Sequence, residues 1–445
     1  MTDGTEAAVQ AVETAAEVAA EAANNWAKAG RHAGIAGAAI GVVAAGAAAG
    51  VAIERLTVGR GMRRRARLAL DAAGPYGTLR GTPGAAISED GTELYFEIDE
   101  VGAEPARLER GDRRGGKHAR NDPSARPVRG KQARAAQEAQ GGLRKRLTAA
   151  LGRRPSAAPT VVFSHGYCLN QDSWHFQRAA LRGTVRTVHW DQRSHGRSAR
   201  GHGQIDGTEN VTIDLLGRDL KAVLDAAVPE GPIVLVGHSM GGMTVMALAD
   251  QFPEYVAERV IGVALIGTSA GRLSEVTYGL PSMGMKAFHA LAPGVLKALG
   301  WQPDLVERGR RATADLFAGL VKRYSFGTPE DVDPGIARFG ERLIEGTPID
   351  VVAEFFPAFA VHDKTEALVA YDAVPALVLA GESDLITPAD HSRTIAEVLP
   401  DAELVCVPGA GHLVMLERPE LVNEHLVALV ERAAAAARSS GHARA

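Results

Sequence analysis

Cysteine is nearly absent from this chain. Cys168 and Cys406 are the two in 445 residues, too few for a disulfide framework, and a reducing compartment suits such a sequence. Both read as small apolar residues beside strand ends. Aromatic side chains make up 5% of the chain, and its longest basic stretch has none interleaved to stack on bases. The net charge of −4 supplies no general attraction for a polyanion. Nucleic acid is therefore not an expected partner. Metal-ligand spacing is also missing. His165 has no ligand-type neighbour at the right interval and reads as a residue that braces its loop. What remains is ordinary for a globular protein: 46% apolar, 23% charged, and long enough to bury a large core.

Two stretches depart from that composition. Residues 1–32 are Ala-rich with scattered acids and read as a mobile or weakly helical arm. Ala33–Ile53 then runs without a charge, long enough to span a bilayer as a helix. Gly37/Gly41 and Gly46/Gly50 repeat the small-xxx-small spacing of packed membrane helices, and a basic linker (54–75) follows. Inserted, this segment would leave the larger C-terminal part on the cytoplasmic side. The expectation is a single N-terminal anchor on the cytoplasmic face of the membrane. The alternative is an Ala/Gly-rich leader on a soluble cytoplasmic protein. A secretory signal fits poorly, because the basic flank follows the apolar run. The second departure is 104–158. Within Glu104–Arg154, 15 Lys or Arg stand against five acids with no apolar periodicity. That segment reads as a disordered basic insertion, either a solvated linker or a surface for anionic lipid.

From Tyr76 onward the pattern is regular. Glu93–Asp99 alternates like a half-exposed strand. Thr160–Ser164, Val185–Trp190, Ile233–Val236, Val260–Ile266, Ala376–Ala380 and Leu404–Val407 are short apolar runs. Helical periodicity lies between them, as in Ile213–Val228, where Leu216, Leu220, Val223 and Leu224 share a face. Strands alternating with helices predict an α/β fold whose mostly parallel sheet is covered on both faces.

The chemistry collects where those strands end. Gly237-His-Ser239-Met240-Gly241 follows one strand and opens a helix. A strand-to-helix turn that sharp crowds the positions two before and two after the serine, which suits Gly237 and Gly241. A second G-x-S-x-G, around Ser269, is followed by a long irregular segment instead of a helix, so Ser239 is the preferred nucleophile. A serine needs a base and an orienting acid. Asp384 follows the strand Ala376–Ala380, and His412 follows Leu404–Val407. Donors for a developing oxyanion are expected from the Met240 amide at the helix start and the Tyr167 amide in the loop after Thr160–Ser164.

The motifs SHG (164–166), GHSMGG (237–242), GESDLITP (381–388) and GAGHLVMLERPE (409–420) together resemble the α/β-hydrolase superfamily. Asp191–Ser198 resembles that family's loop after its fourth strand, with Ser194 where glycine is usual. The resemblance covers Tyr76 to the end apart from the insertion. It implies a hydrolase core in two parts (76–271 and 373–435, with a tail at 436–445) and a helical cap at 272–372. In that cap Phe288, Leu296, Phe317, Phe355, Phe356 and Phe359 either line an apolar pocket or form its own packing. The expected activity is serine hydrolysis of a small apolar carboxylic ester, of esterase or lipase type, with Ser239, Asp384 and His412 as a triad and no cofactor or metal. Haloperoxidase-like or acyl-transfer chemistry on the same triad is the alternative enzyme reading. A non-catalytic ligand-binding scaffold held at the membrane is the alternative of a different class.

Overall fold

A computed structural model describes residues 76–103, 127–152, 158–276 and 314–440. The expected arm, apolar segment and basic linker (1–75) lie outside these residues, as do positions 277–313 of the expected cap. Among the described residues no helix is long and apolar enough to cross a membrane.

Eight strands form one sheet: β1 (Thr82–Ile87), β2 (Glu93–Asp99), β3 (Thr160–Ser164), β4 (Arg186–Trp190), β5 (Ile233–His238), β6 (Val260–Ile266), β7 (Ala376–Gly381) and β8 (Glu403–Val407). Their spatial order is β1-β2-β4-β3-β5-β6-β7-β8. β1 pairs antiparallel with β2, and β2 with β4. Every later pairing is parallel. The helices are α1 (Pro127–Leu151), α2 (His175–Leu181), α3 (His202–Ile205), α4 (Ile213–Ala227), α5 (Met240–Gln251), α6 (Pro253–Arg259), α7 (Ala314–Ser325), α8 (Pro334–Glu345), α9 (Ile349–Ala360), α10 (Ala389–Val398), α11 (Val414–Glu417) and α12 (Pro419–Ser440).

The central strands β3, β5, β6 and β7 are buried along their whole length. This is why they read as unbroken apolar runs and not as alternations. Successive side chains still go to opposite faces. Val161, Phe163, Val234 and Val236 enter one core with α12, while Val162 and Leu235 enter the other with α4 and α5.

Two expectations need correction. The segment 104–158 is not wholly irregular, because 127–151 forms α1. Leu143, Leu147 and Leu151 are spaced four apart, and Leu147 is buried against the core that α12 completes. Arg144 donates to the carbonyls of Ala179 (2.7 Å) and Ala180 (3.2 Å), two of the last carbonyls of α2, which have no intrahelical partner. Gly152, at φ +72°, ends the helix. Residues 104–126 and 153–157 of the insertion are outside the described residues. The second correction concerns β2. Its polar face is exposed only at Glu93 and is buried toward the strand's end, with Glu97 and Asp99 almost inaccessible. Arg178 of α2 covers them, donating to Asp99 at 2.7 Å and to Glu97 at 2.8 Å. A polar position in the alternation therefore marks a buried ion pair here, not solvent.

Candidate functional site

The site is built at the carboxyl ends of β3, β5, β6, β7 and β8, where an open α/β sheet leaves its loops free. β5 runs directly into α5, and Ser239 is the turn between them. It adopts φ +52°, ψ −121°, a conformation that L-residues rarely hold without surrounding support. That support is visible on three sides. The Ser239 amide donates to Ile266 O (3.0 Å), and its carbonyl accepts the Gly242 amide (2.9 Å) and the Thr268 hydroxyl (2.7 Å). A Cβ at Gly237 would lie 2.5 Å from Gly241 O, and one at Gly241 would lie 2.1 Å from Ser164 O. Both positions are closed to any side chain.

Asp384 and His412 meet. His412 Nδ1 lies 2.8 Å from Asp384 Oδ2. The other carboxylate oxygen accepts the Ile386 (2.8 Å) and Thr387 (2.9 Å) amides, and the Thr387 hydroxyl donates to Oδ2 at 2.9 Å. Every donor on this carboxylate suits its ionised form, which holds the ring with its proton on Nδ1 and leaves Nε2 as an acceptor. Gly411 N donates to Glu417 at 2.8 Å and fixes the loop before His412. The elbow is bound to the same loop. His238 Nε2 donates to His412 O at 2.9 Å, and the two rings lie 4.8 Å apart. Burial lowers the His238 pKa to about 3, which keeps the ring neutral. His412 is thus brought to the residue adjoining Ser239. Among the described residues the Ser239 hydroxyl has no hydrogen-bond partner, and catalytic hydrogen bonds commonly tighten only when substrate is bound.

The loop after β3 closes the third side. A Cβ on Gly166 would sit 3.1 Å from Ser239 Cβ, so the backbone at 166–167 lies against the serine. The Tyr167 amide is free of hydrogen bonds among the described residues, and the Met240 amide belongs to the first turn of α5, where amides lack intrahelical partners. His165 braces this loop through two bonds. Its Nδ1 donates to Gly166 O (2.8 Å), and its Nε2 accepts the Gln192 amide (2.9 Å). Burial lowers its pKa to about 3. The Tyr167 hydroxyl donates to Val352 O of α9, and its ring packs on Phe355 and Phe359.

Other sequence candidates fall elsewhere. Ser269 is fully buried; its hydroxyl is bound to Gly271 O (2.6 Å) and His391 Nδ1 (2.8 Å). Phe355 is buried between α9 and the loop at Tyr167, whereas Phe288 and Leu296 lie outside the described residues. Ser194 has φ +63°, the backbone conformation that favours glycine. Among the described residues no cluster of His, Cys, Asp and Glu is arranged to hold a metal. Sequence reasoning did not single out Thr387, His238, Thr268 or Gln192 as parts of the site. Thr387 alone carried a signal, three residues after an aspartate, where an Asx-type turn ties side chain to backbone. The others touch the site from separate elements.

Comparison with known proteins agrees with this architecture. The sequence profile of the Alpha/beta hydrolase family matches residues 161–425. The chain is 29% identical over 277 residues to the dihydrolipoyllysine-residue acetyltransferase component of the acetoin cleaving system of Pseudomonas putida, covering 61% of this chain and 63% of that protein. It is 27% identical to the bifunctional esterase/perhydrolase of Acinetobacter calcoaceticus, covering 62% of this chain and 93% of the relative. A thermophilic esterase from Thermogutta terrifontis shares the fold, with TM-score 0.52 at 20% identity, covering 79% of this chain and 98% of the other. With more than half its length matched by the family profile, the chain belongs to the alpha/beta hydrolase family.

Proposed function

We propose that this protein is a serine hydrolase acting on carboxylic esters through Ser239, His412 and Asp384. The observation that carries this reading is the Asp384–His412 hydrogen bond of 2.8 Å, formed beside a serine held in a left-handed turn at a helix start. In this mechanism His412 Nε2 takes the Ser239 proton as Oγ attacks the ester carbonyl. The carbonyl oxygen becomes an oxyanion facing the Tyr167 and Met240 amides. Collapse breaks the bond to the alcohol, which leaves with the proton from His412. Water, deprotonated by the same ring, then attacks the acyl-serine and restores the hydroxyl. Each oxyanion donor lowers the barrier by about 3 kcal/mol in comparable sites. The helices between β6 and β7 act as a cap, with α9 supplying Phe355 and Phe359 as an apolar wall beside Tyr167.

A second reading draws on the esterase/perhydrolase relative. Hydrogen peroxide replaces water in the second step, so the acyl-serine yields a peracid and the free hydroxyl. Product analysis with peroxide competing against water separates the two. The decisive experiment is labelling with a fluorophosphonate probe, together with turnover of 4-nitrophenyl esters. The expected result is an adduct on the natural protein, none on Ser239→Ala, and turnover down about 10⁴-fold or more in that variant. An adduct that survives Ser239→Ala and vanishes in Ser269→Ala would overturn the assignment.

A further inference from the structure

The loop after β4 reaches the site without contributing a member of the proposed triad or an oxyanion donor. Gln192, in that loop, is fully buried and makes three contacts that join two parts of the proposed site. Its backbone amide donates to His165 Nε2 at 2.9 Å. Its side-chain nitrogen donates to His165 O at 2.5 Å. Its side-chain oxygen accepts from the Thr244 hydroxyl at 2.8 Å, and Thr244 belongs to α5, the helix that Ser239 opens. The amide has one satisfiable orientation. His165 O can only accept, so the nitrogen must face it and the oxygen must face Thr244.

These bonds bear on one peptide plane. His165 Nε2 is occupied as an acceptor, so the neutral ring carries its proton on Nδ1, and that proton goes to Gly166 O at 2.8 Å. A trans peptide sets its carbonyl and its N–H on opposite sides. Holding Gly166 O from one side therefore aims the Tyr167 N–H to the other. Leu169 N adds a second bond to the same carbonyl at 3.2 Å. The next amide is held as well: Cys168 N donates to His195 Nε2 at 3.2 Å, and His195 Nδ1 donates to Arg193 O at 2.9 Å. Gly166 O and Cys168 N, on either side of the Tyr167 N–H, are thus both engaged, and among the described residues that N–H is left open.

We propose that Gln192 is a positioning residue for oxyanion stabilisation: by tying His165 to Thr244, it fixes the Tyr167 amide relative to the helix that presents Ser239 and Met240. The inference rests on the ester-hydrolase reading. Gln192 touches no substrate in this scheme, so its loss leaves ground-state binding intact and lowers the rate of the step in which charge develops.

The test uses 4-nitrophenyl butyrate as substrate and an alkyl trifluoromethyl ketone as inhibitor, whose serine adduct carries the same oxyanion. Gln192→Met keeps length and volume but removes both side-chain bonds; Thr244→Val removes one. Gln192→Met is expected to lower kcat about tenfold with KM within about twofold, and to weaken ketone inhibition by the same factor. Thr244→Val should show a smaller loss of the same kind, and the double variant should be no worse than Gln192→Met, because both break one tie. Unchanged kcat in folded Gln192→Met, or a fall in kcat with ketone inhibition intact, would overturn the inference. If Gln192→Met does not fold, Thr244→Val decides by the same two readouts, and natural values for both overturn it. A natural protein that neither hydrolyses the ester nor binds the ketone would instead sink the hydrolase reading beneath it.

Discussion

At position 241 a methyl group has nowhere to go. Its carbon would fall 2.1 Å from the Ser164 carbonyl oxygen, a backbone atom of the neighbouring strand that cannot rotate aside. Gly241→Ala must therefore separate α5 from β3, which displaces the serine turn from the loop at Tyr167. The expected outcome is ester turnover reduced at least 100-fold and a protein destabilised by about 1–3 kcal/mol. Denaturant unfolding alongside 4-nitrophenyl ester kinetics checks both; near-natural turnover would show that the turn tolerates the shift. This glycine was legible from the chain alone, since a tight strand-to-helix turn demands small residues at fixed offsets. So were Ser239, Asp384 and His412 as candidates, because each stands just past the end of its own strand. Thr268 and Gln192 were not legible. Their importance lies in which backbone atoms they touch, Ser239 O and His165 O, and those partners are brought near only by the pairing of β5 with β6 and of β3 with β4. Ser194 shows the converse. Its departure from the family's glycine stood out in the sequence, but its left-handed φ of +63° is a property of the loop, readable only in three dimensions.

Among the elements, α1 is the instructive failure of pattern reading. Averaged over 104–158, basic charge and small residues swamp any periodicity. Three leucines at intervals of four, Leu143, Leu147 and Leu151, nonetheless give one apolar stripe, and a glycine follows directly. The stripe is narrow because α1 is an outer layer, covering part of α12 and α2 instead of filling a core. Leu147, the most buried of the three described positions on it, packs in the cluster shared with α12. Leu147→Ala is expected to cost about 2–3 kcal/mol, the lower part of the range for a buried leucine. Ester kinetics should remain close to natural, since α1 lies away from the Ser239 turn. Urea unfolding tests the first part, and a change under 0.5 kcal/mol would show that α1 is not docked in solution. β2 errs the other way. Its alternation was visible, but sequence cannot say whether the polar face meets water or a buried arginine. Arg178 comes from a helix 79 residues after Asp99, a distance over which no local pattern operates.

For the whole molecule, the sheet with both faces covered has an electrostatic consequence. Burial takes several histidines out of water with it. The pKa falls to about 3 for His165 and His238 and to about 4 for His175 and His195, and lies well below the usual value for His189, in every case chiefly through burial. In the unfolded chain these rings titrate near 6.5. Between that value and about 4 the unfolded state binds protons that the folded state refuses, so stability falls as pH falls through this window. Asp191 opposes the trend. Burial raises its pKa to about 6, so from there down to the ordinary carboxylate range the folded state holds a proton the unfolded state has lost. Burial raises Asp172, Asp219 and Glu341 as well, but Asp90, Glu97 and Glu403 lie below the usual carboxylate range and His362 and His391 join the lowered rings, so the histidines dominate. Urea unfolding at pH 7.5, 6.5, 5.5 and 4.5 should give a loss of about 1–2 kcal/mol between the first two and then a steeper one, exceeding about 1.4 kcal/mol per pH unit, the slope of a single proton. The mechanism predicts where the loss lies in the fold: protonating His165 places the ring's second proton on Nε2, the nitrogen that accepts the Gln192 amide, and protonating His195 does the same toward the Cys168 amide. Acid should therefore loosen the loop at Tyr167 as it erodes global stability. A stability profile flat from pH 7.5 to 4.5 would mean that these rings remain hydrated in the folded protein.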